Sequence, residues 1–448
     1  MTITVLEHAA IATVDEQETE YTDGHVVIED GRISRLGQGP APVKADNRID
    51  ASGCLVTPAL VNTHHHLYQW ATRGVAPDAT LFEWLRTLYP IWGRFDAETT
   101  HAAARAGLAR LAMTGCGTVA DHHYVFPADG GDQMAALVGA VDEVGTRAHL
   151  VRGSMDRGEP DGGLPPANIV EDTDQALAET ARAIERYHDP SPEARVRVAV
   201  GPCSPFSVSE KLMRQAAELA RDHGVRLHTH LAETLDEHEQ CHAEFGCSPA
   251  EYAERLGWFG DDVWMAHTVH VSTEAAHRMG STGTGAAHCP TSNGRLGTGI
   301  APVRELLDSG APVGLGVDGA ASSEAGGLGQ ELQQALLQAR QRGGPAALTV
   351  REALRAATIG GARCLGRTAE IGSLETGKLA DIAVWRMDGM EHAGITDPVA
   401  ALVLGSLPPL LRLFVGGETV VSDGRPVRVD PGQLATELRT ASSKLVER

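Results

Sequence analysis

The chain has 448 residues, of which 38 are Lys or Arg and 59 are Asp or Glu, so its net charge at pH 7 is −21. So acidic a protein is repelled by nucleic acid backbones and anionic membrane surfaces, and we expect neither as a partner. The sequence also lacks an apolar run of about 18 residues, the length that a transmembrane helix needs. Its seven cysteines are scattered and odd in number, which argues against a disulfide framework.

The N-terminal segment has short β-type runs at residues 2–5 and 25–28, separated by glycine-containing turns. It carries acidic residues where a secretory signal would carry a basic flank and an apolar core, so we expect a cytoplasmic protein. The β-rich pattern returns after residue 371, for example at 379–385 and 419–421. We interpret residues 1–57 and 368–448 as two halves of one small β-sandwich, with residues 58–367 inserted between them. Two unrelated terminal segments are the alternative.

The central segment alternates strand patterns with helix patterns. Short apolar runs at 196–203, 225–233, 263–267 and 313–318 read as strands, and helical periodicity occurs at 100–113, 210–223 and 329–340. Such alternation is typical of α/β proteins with a parallel sheet. The expected fold is a (β/α)8 TIM-type barrel, which accounts for about 250 residues and leaves the ends for the sandwich.

Residues that bind metals lie at the ends of several of these predicted strands. His64 and His66 share one face of a strand, because side chains two apart point the same way, while His65 points to the other face. His230, His267 and Asp318 end three later strands, and the strand ends of a barrel converge on one pocket. The sequence therefore predicts a metal site, with a histidine-rich turn or buried core histidines as the alternative.

Two segments, 56–66 around the His-x-His pair and 372–381 near the C-terminus, resemble those of the amidohydrolase superfamily, and the resemblance covers nearly the whole chain. It points to the mononuclear-metal branch that deaminates purines, pyrimidines and related heterocycles. The binuclear branches carry a lysine on the fourth strand, and residues 196–203 contain none. The resemblance thus implies one Zn²⁺ per subunit, with Fe²⁺ as the alternative, and disfavours a cyclic amide hydrolase. The ligands that it implies are His64, His66, His230 and Asp318.

The resemblance also implies catalytic roles. Glu233, the carboxylate of the His-x-x-Glu motif, would protonate the ring nitrogen and then the leaving amine. Asp318 would accept a proton from a water that the metal has acidified, and His267 would stabilise the attacking oxygen. The alternatives are that Glu233 caps a helix, that His267 is a core residue, or that His270 acts in its place. We expect His122 and His123 at the mouth of the pocket.

Three residues are candidates for contact with the substrate. Gln69 occupies the position of a glutamine that purine deaminases of this family share, and Trp92 would stack on the ring or simply pack in the core. Cys203 replaces an arginine with which guanine deaminases hold their substrate.

The motifs around His66, His122, Cys203 and Asn293 resemble those of 8-oxoguanine deaminases, which implies conversion of 8-oxoguanine and water to urate and ammonia. Deamination of a hydroxytriazine, a pterin or a pyrimidine is the alternative. A non-catalytic protein that kept the fold is a further alternative. Such a protein should have lost some of the metal-binding residues, and this sequence keeps them. We expect a small heterocyclic substrate and a homo-oligomeric protein.

Overall fold

Residues 2–446 are described by a computed structural model, in which the strands form two nine-stranded sheets. The first sheet begins with the N-terminal strands, which are β1 (Ile3–Ala12), β2 (Glu20–Glu29), β3 (Arg32–Gln38), β4 (Asn47–Asp50) and β5 (Cys54–Pro58). β1 pairs with β2 along one edge and with β4 and then β5 along the other. The break between β4 and β5 coincides with His8, whose φ of 63° puts a bend into β1.

The second sheet is a closed barrel of parallel strands. These strands are β6 (Leu60–His66), β7 (Cys116–His123), β8 (Arg147–Ser154), β9 (Val196–Pro202), β10 (Leu227–Leu231), β11 (Val263–His267), β12 (Gly285–His288), β13 (Val313–Leu315) and β14 (Asp318–Gly319). β13 and β14 together make the eighth strand, and both pair with β6, which closes the barrel. The predicted (β/α)8 barrel is thereby confirmed.

The C-terminal strands complete the first sheet. They are β15 (Ile382–Arg386), β16 (Leu410–Val415), β17 (Glu418–Ser422) and β18 (Arg425–Pro426). β15 pairs antiparallel with β5, so strands from both ends of the chain share one ladder. Apolar side chains from both ends also share one core, which contains Leu6, Val26, Ile382 and Phe414. The expected β-sandwich built from both termini is confirmed, whereas the exact boundaries 1–57, 58–367 and 368–448 stay a prediction.

Helices surround the barrel and extend its connections. They are α1 (Leu81–Trp92), α2 (Ala97–Met113), α3 (Gln133–Val144), α4 (Thr173–Tyr187), α5 (Glu210–Asp222), α6 (Leu235–Phe245), α7 (Pro249–Arg255), α8 (Thr273–Thr282), α9 (Pro290–Leu296), α10 (Val303–Asp308), α11 (Leu328–Gly343), α12 (Val350–Arg355), α13 (Gly361–Cys364), α14 (Pro398–Leu404) and α15 (Pro431–Val446). Among these helices of residues 2–446, none is long and apolar enough to cross a membrane.

A helix cap and a left-handed residue explain why two observed elements differ in their bounds from the predicted ones. The helix expected at 100–113 begins at Ala97, because the Asp96 carboxylate accepts the N–H of Thr99 and caps it. The strand expected at 225–233 ends at Leu231, because Ala232 adopts a left-handed conformation with φ 51°. Glu233 therefore lies in a turn beyond the strand rather than at its end.

Candidate functional site

A cluster of buried histidines and one aspartate lies at the C-terminal ends of β6 and β10 and at the start of the short strand β14. The Nε2 atoms of His66 and His230 are 3.2 Å apart. Oδ1 of Asp318 lies 3.3 Å from His64 Nε2 and 3.1 Å from His66 Nε2. All four residues are at most 8% exposed. The strands therefore bring together the four residues that the sequence analysis assigned to the metal.

The hydrogen bonds of His66 and His230 define which ring nitrogen carries the proton. Nδ1 of His66 lies 2.6 Å from the carbonyl oxygen of His122, and Nδ1 of His230 lies 2.6 Å from that of Cys203. A carbonyl oxygen only accepts, so both Nδ1 atoms carry the proton and donate. Both Nε2 atoms then present lone pairs, and these lone pairs face each other across 3.2 Å.

His64 is oriented through a second histidine. His228 donates from Nδ1 to the carbonyl oxygen of Trp264 at 2.8 Å, so its Nε2 is an acceptor. That Nε2 lies 2.8 Å from His64 Nδ1, which must therefore donate, and His64 Nε2 is left with a lone pair and no hydrogen-bond partner. Such relayed hydrogen bonds are the usual way in which proteins orient metal-binding histidines.

The Nε2 atoms of three histidines and one carboxylate oxygen thus converge, an arrangement that suits a bound cation. Burial lowers the pKa of His64 and that of His230 well below the usual range, so both rings are neutral, as ligands must be. The donor set fits a divalent transition metal such as zinc. The ligand atoms of His64, His230 and Asp318 lie within 4.8 Å of one another and of His267, so the chain has a His/Asp cluster able to bind a metal ion.

Two further ionisable residues line the space beside this cluster. Nε2 of His267 lies 3.6 Å from Glu233 Oε2 and 3.9 Å from Asp318 Oδ2. Its Nδ1 lies 2.9 Å from Oδ1 of Asn293, which accepts that proton and leaves Nε2 facing the site. Burial raises the pKa of Glu233, although the nearby His267 opposes the shift. A carboxyl group with a raised pKa is suited to donate a proton near neutral pH.

Several residues that orient the site received no role in the sequence analysis. The Ser292 hydroxyl donates to Asp318 Oδ2 at 2.6 Å, and Ser322 lies 3.2 Å from the same oxygen. Asn293 orients His267 by accepting its Nδ1 proton. Ser292 and Asn293 belong to the motif around Asn293 (residues 288–295) on which the resemblance partly rested, so the sequence carried a signal for both. Ser322 comes four residues after Asp318 and carries no comparable signal.

The strand ends in the site carry unusual backbone conformations. Positive φ angles occur at Ala232 (51°), His267 (69°), Thr268 (48°) and Asp318 (62°), none of which is a glycine. L-residues seldom adopt such angles, and they cluster at functional sites where the surrounding structure imposes them. The turns direct the side chains of Glu233, His267 and Asp318 toward the same point.

A cavity of about 510 Å³, a volume that includes space open to solvent, lies beside the cluster. Its lining contains acidic, aromatic and aliphatic side chains but, among the described residues, no lysine or arginine. The lining residues are His66, Gln69, Leu81, Trp84, Leu85, Tyr89, Tyr124, Cys203, Ser204, Phe206, His230, Glu233, Glu237, His267, Leu296 and Asp318. Gln69 has an Oε1 with no hydrogen-bond partner. Burial raises the pKa of Cys203 to about 12, so it is a neutral thiol.

Trp92 requires a correction, because its position does not allow the expected stacking on a substrate. It is fully buried and does not belong to the cavity lining. Its ring packs edge-on against Tyr68, Trp84 and Tyr89, and its Nε1 donates to Thr72. The structure thus places Trp92 in the core, the second of the two roles considered for it.

His122 and His123 also lie elsewhere than expected. Both are fully buried, and neither lines the cavity. His122 stacks on His230 behind the cluster and donates from Nε2 to the carbonyl oxygen of Gly201. His270 points away from the site, because its Nε2 donates to the carbonyl oxygen of Thr298. The register therefore places His267, not His270, in the site.

Comparisons with known proteins agree with this geometry. The amidohydrolase family matches residues 55–420. The chain is 47% identical to an 8-oxoguanine deaminase from Pseudomonas aeruginosa, over 94% of this chain and 95% of that protein. It is 39% identical to an isoxanthopterin deaminase from an unknown prokaryotic organism, over 91% and 89%.

Solved structures show the same architecture. The atrazine chlorohydrolase from Arthrobacter aurescens TC1, crystallised in complex with zinc, superimposes with a TM-score of 0.93 at 34% identity, covering 98% of this chain and 100% of that one. Fold, site and relatives agree over nearly the full length, and the chain belongs to the amidohydrolase family.

Proposed function

We propose that this protein is a metal-dependent hydrolytic deaminase that converts 8-oxoguanine and water to urate and ammonia. The observation that carries the proposal is the convergence of the His/Asp cluster, Glu233 and His267 on one cavity, whose described lining includes no lysine or arginine. Full-length similarity to an 8-oxoguanine deaminase supports the choice of substrate.

In this proposal, His64, His66, His230 and Asp318 hold one Zn²⁺, with Fe²⁺ as the alternative metal. When bound, such an ion acidifies a coordinated water so that it can attack carbon near neutral pH. The hydrogen bonds from His66 Nδ1 and His230 Nδ1 to carbonyl oxygens direct their Nε2 atoms to the ion. His64 is directed in the same way through His228.

The remaining steps belong to side chains of this chain. Asp318 accepts a proton from the attacking water, and the hydroxyls of Ser292 and Ser322 fix the orientation of its carboxylate. Glu233 donates its proton to the ring nitrogen beside the amine-bearing carbon, takes up the hydroxyl proton of the tetrahedral adduct and passes it to the departing amine. The proton held by Asp318 then restores Glu233. His267 in its protonated form donates from Nε2 to the oxygen on which negative charge develops. Burial opposes that form, but the nearby Glu233 and Asp318 carboxylates raise the pKa of His267. The carbon–nitrogen bond breaks, ammonia leaves, and a carbonyl group remains.

The cavity lining argues against ordinary guanine as the substrate. Cys203 presents a neutral thiol where guanine deaminases place an arginine, so no lysine or arginine of the described lining is available to hold a purine carbonyl oxygen. Gln69 offers an amide that both donates to and accepts from a ring edge. Aromatic and aliphatic side chains such as Tyr89 and Phe206 supply contact area for a flat ring.

The test is ammonia release by the zinc-loaded protein with 8-oxoguanine, guanine, isoxanthopterin, isocytosine, cytosine and hydroxylated triazines. The highest kcat/KM for 8-oxoguanine supports the proposal. Preference for isoxanthopterin, the substrate named for the second relative, would retain the deaminase chemistry and replace the substrate. No ammonia from any of them, by protein shown to contain metal, would overturn the proposal.

A further inference from the structure

Four of the described helices begin with the pattern Ser/Thr-x-x-Glu, which permits a comparison within one molecule. In three of them the glutamate accepts the backbone N–H of the capping residue. These bonds are Thr80 N–H to Glu83 (3.0 Å), Ser248 N–H to Glu251 (2.8 Å) and Thr349 N–H to Glu352 (2.8 Å). All three are ordinary capping boxes at exposed helix starts.

The fourth helix, α6, departs from this arrangement. Thr234 caps it in the usual way, accepting the N–H of Glu237 at 3.3 Å. The Glu237 carboxylate, however, reaches past the capping residue to the two residues before it. Oε1 accepts the N–H of Ala232 at 2.9 Å, and Oε2 accepts the N–H of Glu233 at 3.0 Å.

These two N–H groups belong to the turn that presents Glu233 to the site. Ala232 has a φ of 51°, which is unfavourable for an L-residue unless its surroundings impose it. A carboxylate that binds two successive N–H groups holds both peptide planes, and so fixes the direction in which the Glu233 side chain leaves the backbone. Oε2 of Glu233 lies 3.6 Å from His267 Nε2 as a result.

The location of Glu237 also separates it from the other capping glutamates. It is 1% exposed and lines the cavity, whereas the hydrogen bonds of the other three lie at exposed helix starts. Burying a carboxylate is costly, and burial raises the pKa of Glu237 to about 7 even though the two N–H groups favour its charged form. Helix capping alone does not require such a burial, since exposed glutamates perform it elsewhere in this chain.

We propose that Glu237 is a positioning residue that holds the Ala232–Glu233 turn and thereby places the Glu233 carboxyl group for proton transfer. The inference rests on the proposed function, in which Glu233 is the proton donor. Glu237 does not itself exchange a proton with the substrate. It acts by keeping the Glu233 side chain within reach of the ring nitrogen.

The principal test is Glu237→Gln in the zinc-loaded protein, with ammonia release as the readout. The amide would present an NH₂ group to one of the two backbone N–H groups, so only one of the two hydrogen bonds that hold the turn could form. We expect kcat to fall about 10- to 100-fold, as is typical when a supporting contact of a catalytic group is removed. KM and zinc content should stay within twofold. The matched control is Glu251→Gln, the same change in the exposed capping box of α7, which should leave kcat unchanged.

A double variant distinguishes positioning from a general structural effect. If Glu237 acts through Glu233, adding Glu237→Gln to Glu233→Gln should lower kcat no further than Glu233→Gln alone. Losses that multiply in the double variant would overturn the inference. So would a wild-type kcat for Glu237→Gln, or a raised KM with unchanged kcat, which would identify Glu237 as a substrate contact instead.

The same experiment separates failure of the inference from failure of the proposed function. Full activity of Glu233→Gln would remove Glu233 as the proton donor, and with it the proposed mechanism. An inactive Glu233→Gln beside a fully active Glu237→Gln would reject the inference alone. If Glu237→Gln does not fold, Glu237→Asp decides, since its shorter carboxylate reaches only one N–H and should give an intermediate kcat.

Discussion

At the scale of single residues, the orientation of the clustered histidines depends on the hydrogen-bond acceptors behind them. The tautomers of the clustered histidines are set by three acceptors, which are the carbonyl oxygens of His122 and Cys203 and the Nε2 of His228. Each acceptor forces a proton onto Nδ1 and leaves Nε2 free for a metal. The acceptors should therefore matter for metal retention nearly as much as the ligands.

His228→Phe tests this dependence. The phenyl ring can keep the stacking on Trp264, but it removes the acceptor for His64 Nδ1. We expect zinc affinity to fall about 10- to 100-fold, measured by competition with a chromogenic chelator. The control is His288→Phe on strand β12 of the same barrel, because both ring nitrogens of His288 lack hydrogen-bond partners. Equal zinc affinities of the two variants would contradict the proposed orientation of His64.

Glu331 gives a prediction about pH. Burial raises its pKa to about 8 from an ordinary value of 4.5, although the N–H of Thr291 and the hydroxyl of Ser323 favour the charged form. Between these two values the folded protein keeps a proton that the unfolded chain has released. Stability should therefore fall as pH rises from about 4.5 to about 8, by about 1.4 kcal/mol per pH unit from this residue.

Glu331→Gln removes that contribution, because an amide does not titrate in this range. We expect the drop in Tm between pH 5.5 and pH 8 to be several degrees smaller in the variant than in the wild type, as measured by scanning fluorimetry in matched buffers. Parallel Tm curves for the two proteins would show that Glu331 is charged in the folded state throughout this range.

At the scale of secondary-structure elements, the sequence predicted the strands better than the turns that leave them. Apolar runs at 196–203 and 263–267 correspond to β9 and β11, because periodicity and β-branched residues report local structure. The turns after the strands depend on distant partners. Ala232 adopts its left-handed conformation with the support of Glu237, and no pattern within the strand signals that conformation.

The same limit explains the substrate-contact predictions. Gln69 comes soon after the His-x-His pair, so its place in the cavity lining could be anticipated from the first strand. Trp92 lies at the end of α1, and whether that end faces the cavity or the core depends on packing against Tyr68 and Trp84. Aromatic character alone does not distinguish the two orientations.

The short strand β14 yields a prediction about the placement of Gln69. A Cβ atom added at Gly319 would lie 1.7 Å from Oε1 of Gln69, so the strand approaches that side chain as closely as a glycine allows. Gly319→Ala should push the Gln69 amide out of place and raise KM about 3- to 10-fold, the effect of one lost hydrogen bond. Zinc content should be unchanged.

The reference variant is Gln69→Ala, which removes the amide itself and should raise KM to a similar extent as Gly319→Ala. Gly139→Ala in α3 is the matched control, because an added Cβ there would meet His101 only at the ordinary distance of 3.6 Å. A normal KM in Gly319→Ala together with a raised KM in Gln69→Ala would show that Gln69 adapts to the displacement.

At the scale of the whole molecule, the sandwich and the barrel are joined by a buried ion pair. Arg147 begins β8 at the N-terminal end of the barrel, and its Nε donates to Oδ2 of Asp381, just before β15, at 2.9 Å. The side chains are only 3% and 4% exposed. Arg147 also donates to the carbonyl oxygens of Glu193 and Ala194, so one guanidinium connects the sandwich to the loop before β9.

Asp381→Asn should therefore destabilise the whole protein rather than one domain. The substitution keeps the shape of the side chain but leaves the Arg147 charge buried without its counter-ion, a loss of about 3–5 kcal/mol. Tm should drop by several degrees in one transition, whereas Asp174→Asn, which breaks the exposed Lys211–Asp174 pair, should leave Tm unchanged. Two separate transitions in Asp381→Asn would mean that the sandwich and the barrel unfold independently once the pair is broken. Because the active-site end of the barrel lies at the opposite ends of the strands, zinc content and kcat below the transition should stay at wild-type values.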